Sequence, residues 1–204
     1  MSLEHPLYYM DFETINPAVP LFDGTRPYQH TPFQFSVHVV RDAHSNPEHY
    51  SFLAKDTQDP RPKLLKELHK ILGDSGSIIA YNKGFEEGIL KGLGKASPEY
   101  EDWVNQVLNR TVDLLAPFRN FDYYHPSQKG SASLKAVLPA VTGRGYEELD
   151  IADGKLASIQ FEKVTYGEVS DKERNKVRSD LEKYCRLDTE GMIWIVDRLE
   201  ELSK

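Results

Sequence analysis

Asp11 and Glu13 in "YYMDFETIN" (residues 8–16) are two carboxylates separated by a single residue. The apolar run Leu7, Tyr8, Tyr9, Met10 precedes them and turn chemistry follows at Asn16-Pro17, so the segment reads as a buried strand. Strand side chains alternate between faces, which puts both acids on one face near the strand's carboxyl end. Two like charges side by side repel, and burial makes each costlier unless something positive sits between them. Asp188 is the second anomaly. It interrupts an apolar stripe of Leu181, Cys185, Met192, Ile195, Val196, Leu199 and Leu202 at helical spacing. Tyr184 lies one turn earlier on the same face. A hydrogen bond from a tyrosine or a backbone amide would by itself account for such an Asp. Glu86 in "IAYNKGFEEGIL" is the third. A capping box opened by Asn82 would want its acid at position 85, which is Phe85, so the box leaves Glu86 unexplained, although any acid in a first helical turn gains from the dipole.

Taken together, the acids point to one chemistry. Asp11 and Glu13 end one strand, Glu86 follows another, and Asp188 sits on a helix that can pack beside the sheet. Strand ends are where sites assemble in α/β sheets. Four converging carboxylates form the hard, oxygen-only shell preferred by Mg²⁺ or Mn²⁺. Two such ions about 3.5–4 Å apart stabilise the attacking and leaving oxygens of phosphodiester hydrolysis.

The elements that must position these residues follow from periodicity. Strands are expected at 7–13, 33–40 ("FQFSVHVV") and 48–54 ("EHYSFLA"), forming an antiparallel meander. The pattern then switches to helix 62–74, strand 77–81, a helix opening at "FEEGILKGLG", helix 98–110, strand 111–115, helix 133–141 with Ser133 as N-cap, and a terminal helix over 171–202. This predicts an α/β fold, a mixed five-stranded sheet with helices on both faces, in the outline of a ribonuclease-H-like domain. Residues 14–32 form a long Pro/Gly-rich connection, and loops of that length in compact domains are functional or disordered.

The 204 residues suit one domain, read here as 4–204, with Met1-Ser2-Leu3 as a cloning remnant and the whole excised from a longer protein with further domains. A single cysteine, Cys185, excludes an internal disulfide and a Cys-based zinc site, and a cytoplasmic location is expected. No apolar run approaches the ~20 residues of a membrane span, so no membrane partner is expected. The net charge of −7 argues mildly against nucleic-acid binding by bulk electrostatics, although metal-binding acids contribute to it. The basic run Lys163, Lys172, Arg174, Lys176 and Arg178 reads as a solvated helix face. The seven histidines show no H-x-H or H-E-x-x-H spacing, and no Ser or Cys sits in a nucleophile elbow.

"DFE" (Asp11, Glu13), "YNKGFE" (Asn82, Phe85, Glu86) and "YCRLD" (Tyr184, Asp188), in this order, resemble the three motifs of the DEDD-type 3′-to-5′ exonuclease superfamily: D-x-E, N-x-x-F-D and the Y-x-x-x-D of its tyrosine subclass. "TVDLL" and "SLKAVL" resemble further segments of that superfamily, with Asp113 read as structural. "FETINPAVPLFDGTRPYQ" and "GSASLKAVLP" are more closely similar to an uncharacterised bacterial domain family of this type, often the C-terminal part of longer nuclease-like proteins. Glu86 departs from the pattern, standing one methylene longer where the superfamily usually has Asp.

The resemblance implies a metal-dependent nuclease that hydrolyses DNA or RNA from a free, single-stranded 3′ end with two Mg²⁺ or Mn²⁺ ions. Asp11, Glu13, Glu86 and Asp188 would be the metal ligands, and Tyr184 would orient the attacking water. Thr14, Arg26, Tyr28, Asn82 and Phe85 are the candidate substrate-binding residues. Arg26 and Tyr28 suit the role chemically, since arginine holds phosphate and aromatic rings stack on unpaired bases. Phe22 is expected to pack the loop onto the sheet. The alternative is a non-catalytic nucleic-acid-binding or scaffolding domain that keeps the exonuclease fold.

Overall fold

The computed structural model describes residues 3–203, so the first two residues of the expected cloning remnant, and Lys204, lie outside the described residues. The chain order is β1 (Leu7–Ile15), β2 (Thr31–Val40), β3 (Glu48–Leu53), α1 (Arg61–Ile71), β4 (Ile78–Ala80), α2 (Lys83–Ala96), α3 (Glu101–Asn109), β5 (Thr111–Asp113), α4 (Ala116–Arg119), α5 (Leu134–Thr142), α6 (Gly154–Tyr166) and α7 (Asp171–Leu202). The five strands form one mixed sheet in the order β3-β2-β1-β4-β5. β1, β2 and β3 pair antiparallel, while β4 is parallel to both β1 and β5.

Strand alternation sorts β1 between two cores. Tyr9 and Ile15 face α5, α6 and α7, packing with Leu138, Phe161 and Leu181. Met10 and Phe12 face α1, α2 and α3, packing with Leu68, Leu90 and Val104. Each fully buried aliphatic or aromatic side chain contributes on the order of 1.5–3 kcal/mol. Helices therefore cover both faces, and the odd-numbered acids Asp11 and Glu13 face α7. A bulge between Glu13 and Thr14 ends the regular pairing with β2.

α7 is fixed in rotation on the sheet by polar contacts as well as by its stripe. Gln34 donates to the Leu181 carbonyl at 3.0 Å, and the Thr189 hydroxyl lies 2.7 Å from Ser36 Oγ and 2.8 Å from His38 Nδ1. At Gly191 a β-carbon would lie 2.8 Å from a Leu138 methyl, so α5 approaches α7 more closely there than any other residue permits.

Several boundaries differ from the sequence reading. β1 runs two residues further, to Ile15, so the connection spans 16–30. The expected helix at 62–74 stops at Ile71, where the Leu72 backbone turns extended. α6 is a helix the periodicity reading omitted. Ser133 is at the N-cap position of α5, but its side chain caps no backbone amide; its hydroxyl instead accepts from Ser131 Oγ at 3.1 Å. Among the described residues no helix is long and apolar enough to cross a membrane.

Candidate metal centre

Four buried or half-buried carboxylates meet between β1, α2 and α7. A carboxylate oxygen from each of Asp11 and Glu13 lies with Cys185 Sγ in a group whose atoms are all within 4.8 Å of one another. Glu86, 2 % exposed, is in the first turn of α2, and Asp188, 5 % exposed, comes from α7. Their charges act on one another. Burial, then the charge of Asp188, raises the Asp11 carboxyl well above its ordinary range. Burial, then Asp11 and Asp188, raises Glu13 in the same direction. Burial followed by Asp11, Glu13 and Asp188 raises Glu86. Asp188 is pushed up less, to about 6, because burial is partly offset by a hydrogen bond from Tyr146 and by Lys135.

The cluster is only partly satisfied by its surroundings. The Tyr146 hydroxyl makes a short hydrogen bond to Asp188 Oδ1. The Cys185 thiol, pushed up by burial and thus protonated, donates to Asp11 Oδ2 at 3.7 Å. The Lys135 ammonium lies 5.0 Å from the Tyr184 ring centroid and 5.8 Å from that of Tyr146, and its charge favours the ionised forms of Asp11, Glu13 and Asp188. Glu86 Oε2 is buried with no hydrogen-bond partner among the described residues. Carboxylate oxygens beside a thiol that stays protonated, with one buried Glu86 oxygen orphaned among the described residues, fit a hard divalent cation. Asp11, Glu13, Glu86 and Asp188 are the residues that could hold one.

A cleft of about 670 Å³ opens onto this cluster, lined by Asp11, Glu13 and Glu86 together with Thr14, Phe85 and Ser158. Thr14 is tied on both sides: its hydroxyl lies 2.8 Å from His30 Nδ1, and its carbonyl accepts from Ser158 Oγ at 2.6 Å. α6 reaches the site at its start, where Gly154 would bring a β-carbon to 3.4 Å from Glu13 Oε2.

Asp11, Glu13 and Glu86 line the cleft with Thr14 and Phe85, while Asp188 and Tyr184 do not line it, although the Asp188 charge acts on the other three acids and Tyr184 hydrogen-bonds Asp188. The other expected contacts are placed differently. Asn82 is exposed and does not line the cleft; in a left-handed conformation (φ 73°) it turns the chain from β4 into α2, its carbonyl accepting from the Phe85 amide at 2.9 Å. Arg26 and Tyr28 are exposed in a neighbouring groove beyond His30 and Phe85. Phe22 packs against the core, as expected. Asp113 accepts from the Lys83 and Leu115 amides and pairs with Arg119 at 2.6 Å, a structural role. Two of the five residues of the basic run are paired locally, Lys163 with Glu173 and Lys176 with Asp150 and Asp180, while Arg178 donates to the Ala54 carbonyl.

Lys135 and Tyr146 escaped the sequence reading. Lys135 had a readable signal, since a cation in the first turn of a helix opposes the dipole and implies facing anions. Tyr146 had none, because it reaches Asp188 across 42 residues from an irregular segment.

Residues 8–133, more than half of the chain, match the model of a family described as a domain of unknown function, DUF2779. The chain is 26 % identical to the uncharacterized protein UU173 of Ureaplasma parvum over 94 % of its own length and 31 % of that relative. It is likewise 26 % identical to the uncharacterized protein MG366 of Mycoplasma genitalium over 100 % of its length and 33 % of the relative. The chain therefore spans about a third of the curated relatives it matches. No solved structure matches it.

Proposed function

This chain belongs to the DUF2779 family, and we propose that it is a metal-dependent nuclease that removes nucleotides from the 3′ end of DNA or RNA. The observation that carries this reading is the convergence of Asp11, Glu13, Glu86 and Asp188, from three separate segments, on one buried site with an unpartnered Glu86 oxygen. Asp113, which serves the fold, is paired with a cation and with two backbone amides, whereas each acid of the cluster has at most neutral donors and faces other buried acids. The motif order and the sheet order, a meander followed by two parallel pairings, support the finer assignment to a ribonuclease-H-like exonuclease domain.

Asp11, Glu13, Glu86 and Asp188 would hold two Mg²⁺ or Mn²⁺ ions. Bound there, such ions supply a lowered pKa for the attacking water and charge stabilisation for the departing 3′ oxygen. Tyr146 holds the Asp188 carboxylate in one orientation through its hydrogen bond. Tyr184, whose phenol burial and the neighbouring carboxylates keep protonated, hydrogen-bonds Asp188 and would orient the attacking water from there. Cys185 does the same service for Asp11 that Tyr146 does for Asp188. Lys135 offsets part of the cluster's repulsion before any cation binds. The Phe85 ring, braced edge-to-face by His30 at 5.2 Å, offers the terminal base a stacking surface at the cleft wall.

The test is incubation of purified protein with single- and double-stranded DNA and RNA carrying a label at either end, in Mn²⁺, Mg²⁺ or EDTA. Stepwise shortening from the 3′ end that requires metal and stops with EDTA is the expected result. Intact substrates under every metal condition, or loss beginning at the 5′ end, would overturn the reading.

A further inference from the structure

The acidic cleft has a neighbour. His30 and Phe85 wall both it and a second groove of about 620 Å³, between the 16–30 connection and α2. Arg26 and Tyr28 stand on the connection side, and Lys95 on the helix side. Neither Arg26 nor Lys95 takes part in an ion pair among the described residues, whereas nearby Lys91 is paired with Glu87 at 3.0 Å. In a chain of net charge −7, two unpaired cations across one groove form a local positive site.

The groove is also held open. Arg61, 8 % exposed, pairs with Asp59 at 2.6 Å and donates to the Asp23 carbonyl at 3.1 Å, fixing the connection to the start of α1. The Tyr28 amide donates to the Pro17 carbonyl at 3.0 Å, and the residue is left 69 % exposed. The floor is bare helix backbone: Gly84, Gly88 and Gly92 follow one another by single turns, and a β-carbon at any of them would meet nothing within 4 Å. Glycine within a helix costs about 1 kcal/mol relative to alanine, so this face is maintained against the helix's own preference and without any packing need.

We propose that this groove binds the sugar–phosphate backbone of an unpaired nucleic-acid strand, with Arg26 and Lys95 on phosphates and Tyr28 stacked on a base. Continuity with the acidic cleft places the bound segment next to the nucleotide being released, and in that respect the assignment rests on the nuclease reading. A single walled groove with an exposed ring takes one strand with its bases splayed; a paired strand has no base to offer Tyr28.

Binding is measured in EDTA by fluorescence anisotropy with labelled 12-mers of single-stranded DNA, single-stranded RNA and blunt duplex, so the result does not depend on whether the protein cleaves them. The unaltered chain should bind both single strands and bind duplex at least tenfold more weakly. Gly88→Glu fills the groove with bulk and negative charge where space is open, and should weaken single-strand binding at least tenfold with no fall in melting temperature. Gly88→Ala should bind nearly as the unaltered protein and melt higher. Arg26→Ala with Lys95→Ala should flatten the plot of log affinity against log salt by about 1.4, near 0.7 for each phosphate no longer neutralised. Equal weakening for DNA and RNA supports recognition through the shared backbone, and weakening confined to RNA supports the same groove reading the 2′-hydroxyl. Single-strand affinity unchanged by Gly88→Glu, duplex bound as tightly as single strand, or no nucleic-acid binding at all would overturn the proposal.

Discussion

Asp188 and Thr189 are adjacent on α7, both are buried, and each belongs to a polar set on the same face of the same sheet. Around Thr189 the set is closed. Its hydroxyl meets Ser36 and His38, and Ser36 also meets His49 Nε2 at 2.9 Å. Burial first, then the repulsion two charged rings would feel and the Arg186 charge, lowers His38 to about 3, and burial followed by Arg186 lowers His49 to about 4, so both rings are neutral and exchange donors and acceptors without charge. Around Asp188 the set is open: its charge helps raise Asp11, Glu13 and Glu86, and one carboxylate oxygen, on Glu86, has no donor among the described residues. A satisfied buried network stabilises and orients a helix. An unsatisfied one costs stability, and persists where something outside the chain completes it. The closed set explains how α7 is held; the open set explains what α7 is held for.

The sharpest way to break this comparison is to neutralise one acid. Asp11→Asn should lower metal-dependent hydrolysis at least ~100-fold, since even partners one shell removed from a metal cost 10–100-fold. The same variant should leave the metal-free protein at least as stable, because a repulsive charge has gone. Loss of folding, or a rate near that of the unaltered protein, would refute the contrast.

Asp188→Asn tests the same point through pH. The folded-state pKa of Asp188 is raised from 3.8 to about 6, so the folded protein favours the protonated form. That preference stabilises the fold fully below about pH 3.8 and is lost as pH rises through about 6. At pH 7, without cations, the ionised group therefore costs the fold roughly 2–3 kcal/mol. Asn should recover part of this, raising the melting temperature at pH 7 but little at pH 4. Saturating Mn²⁺ should reverse the ranking, stabilising only the unaltered chain. A melting difference indifferent to pH and metal would show that Asp188 is held by its tyrosine alone.

Thr189→Val is the matching change in the closed set. It strands the Ser36 and His38 partners and should cost about 1–3 kcal/mol. The depressed histidines give the opposite pH sign to Asp188. Their contribution is present above about 6.5 and is lost as pH falls toward 3–4. Urea unfolding at pH 7 and pH 5 should therefore show the unaltered chain and Thr189→Val losing stability alike from this source, since the burial and charges that depress the rings do not depend on Thr189.

What the sequence made legible follows the same division. Asp11, Glu13 and Asp188 could be found because each breaks an apolar period, and Glu86 because no local capping rule accounts for it. The meander and α7 were legible because their periods are long and regular. α6 was not: Ala157, Phe161 and Val164 do recur at helical spacing behind an Asp153 N-cap, but Gln160, Glu162 and Lys163 dilute the stripe over a short span. The connection's sequence offered Arg26 and Tyr28 as site residues, yet tertiary packing set them beyond His30 and Phe85. The closed network was equally invisible, because His38, His49, Ser36 and Thr189 meet only when β2, β3 and α7 are assembled.

Tyr146→Phe carries the smallest expected effect and separates the two sets most finely. The Tyr146 hydroxyl donates to Asp188 Oδ1, and burial and Asp188 together hold the phenol well above its ordinary pKa. Its ring also lies under the Lys135 ammonium, an arrangement that phenylalanine keeps. Deleting the hydroxyl removes one donor to an ionised group, on the order of 1–2 kcal/mol, and leaves the packing in place. If the open set is completed by a cation, that cost should shrink when Mn²⁺ is present, because the metal then fixes Asp188. Metal affinity should fall by ~10-fold or less, as for an outer-shell partner. Calorimetric titration of Mn²⁺, paired with melting in EDTA and in Mn²⁺, reads both quantities. An equal destabilisation with and without metal would make Tyr146 a purely structural partner, and Asp188 would then belong with Thr189 among the residues that hold the helix.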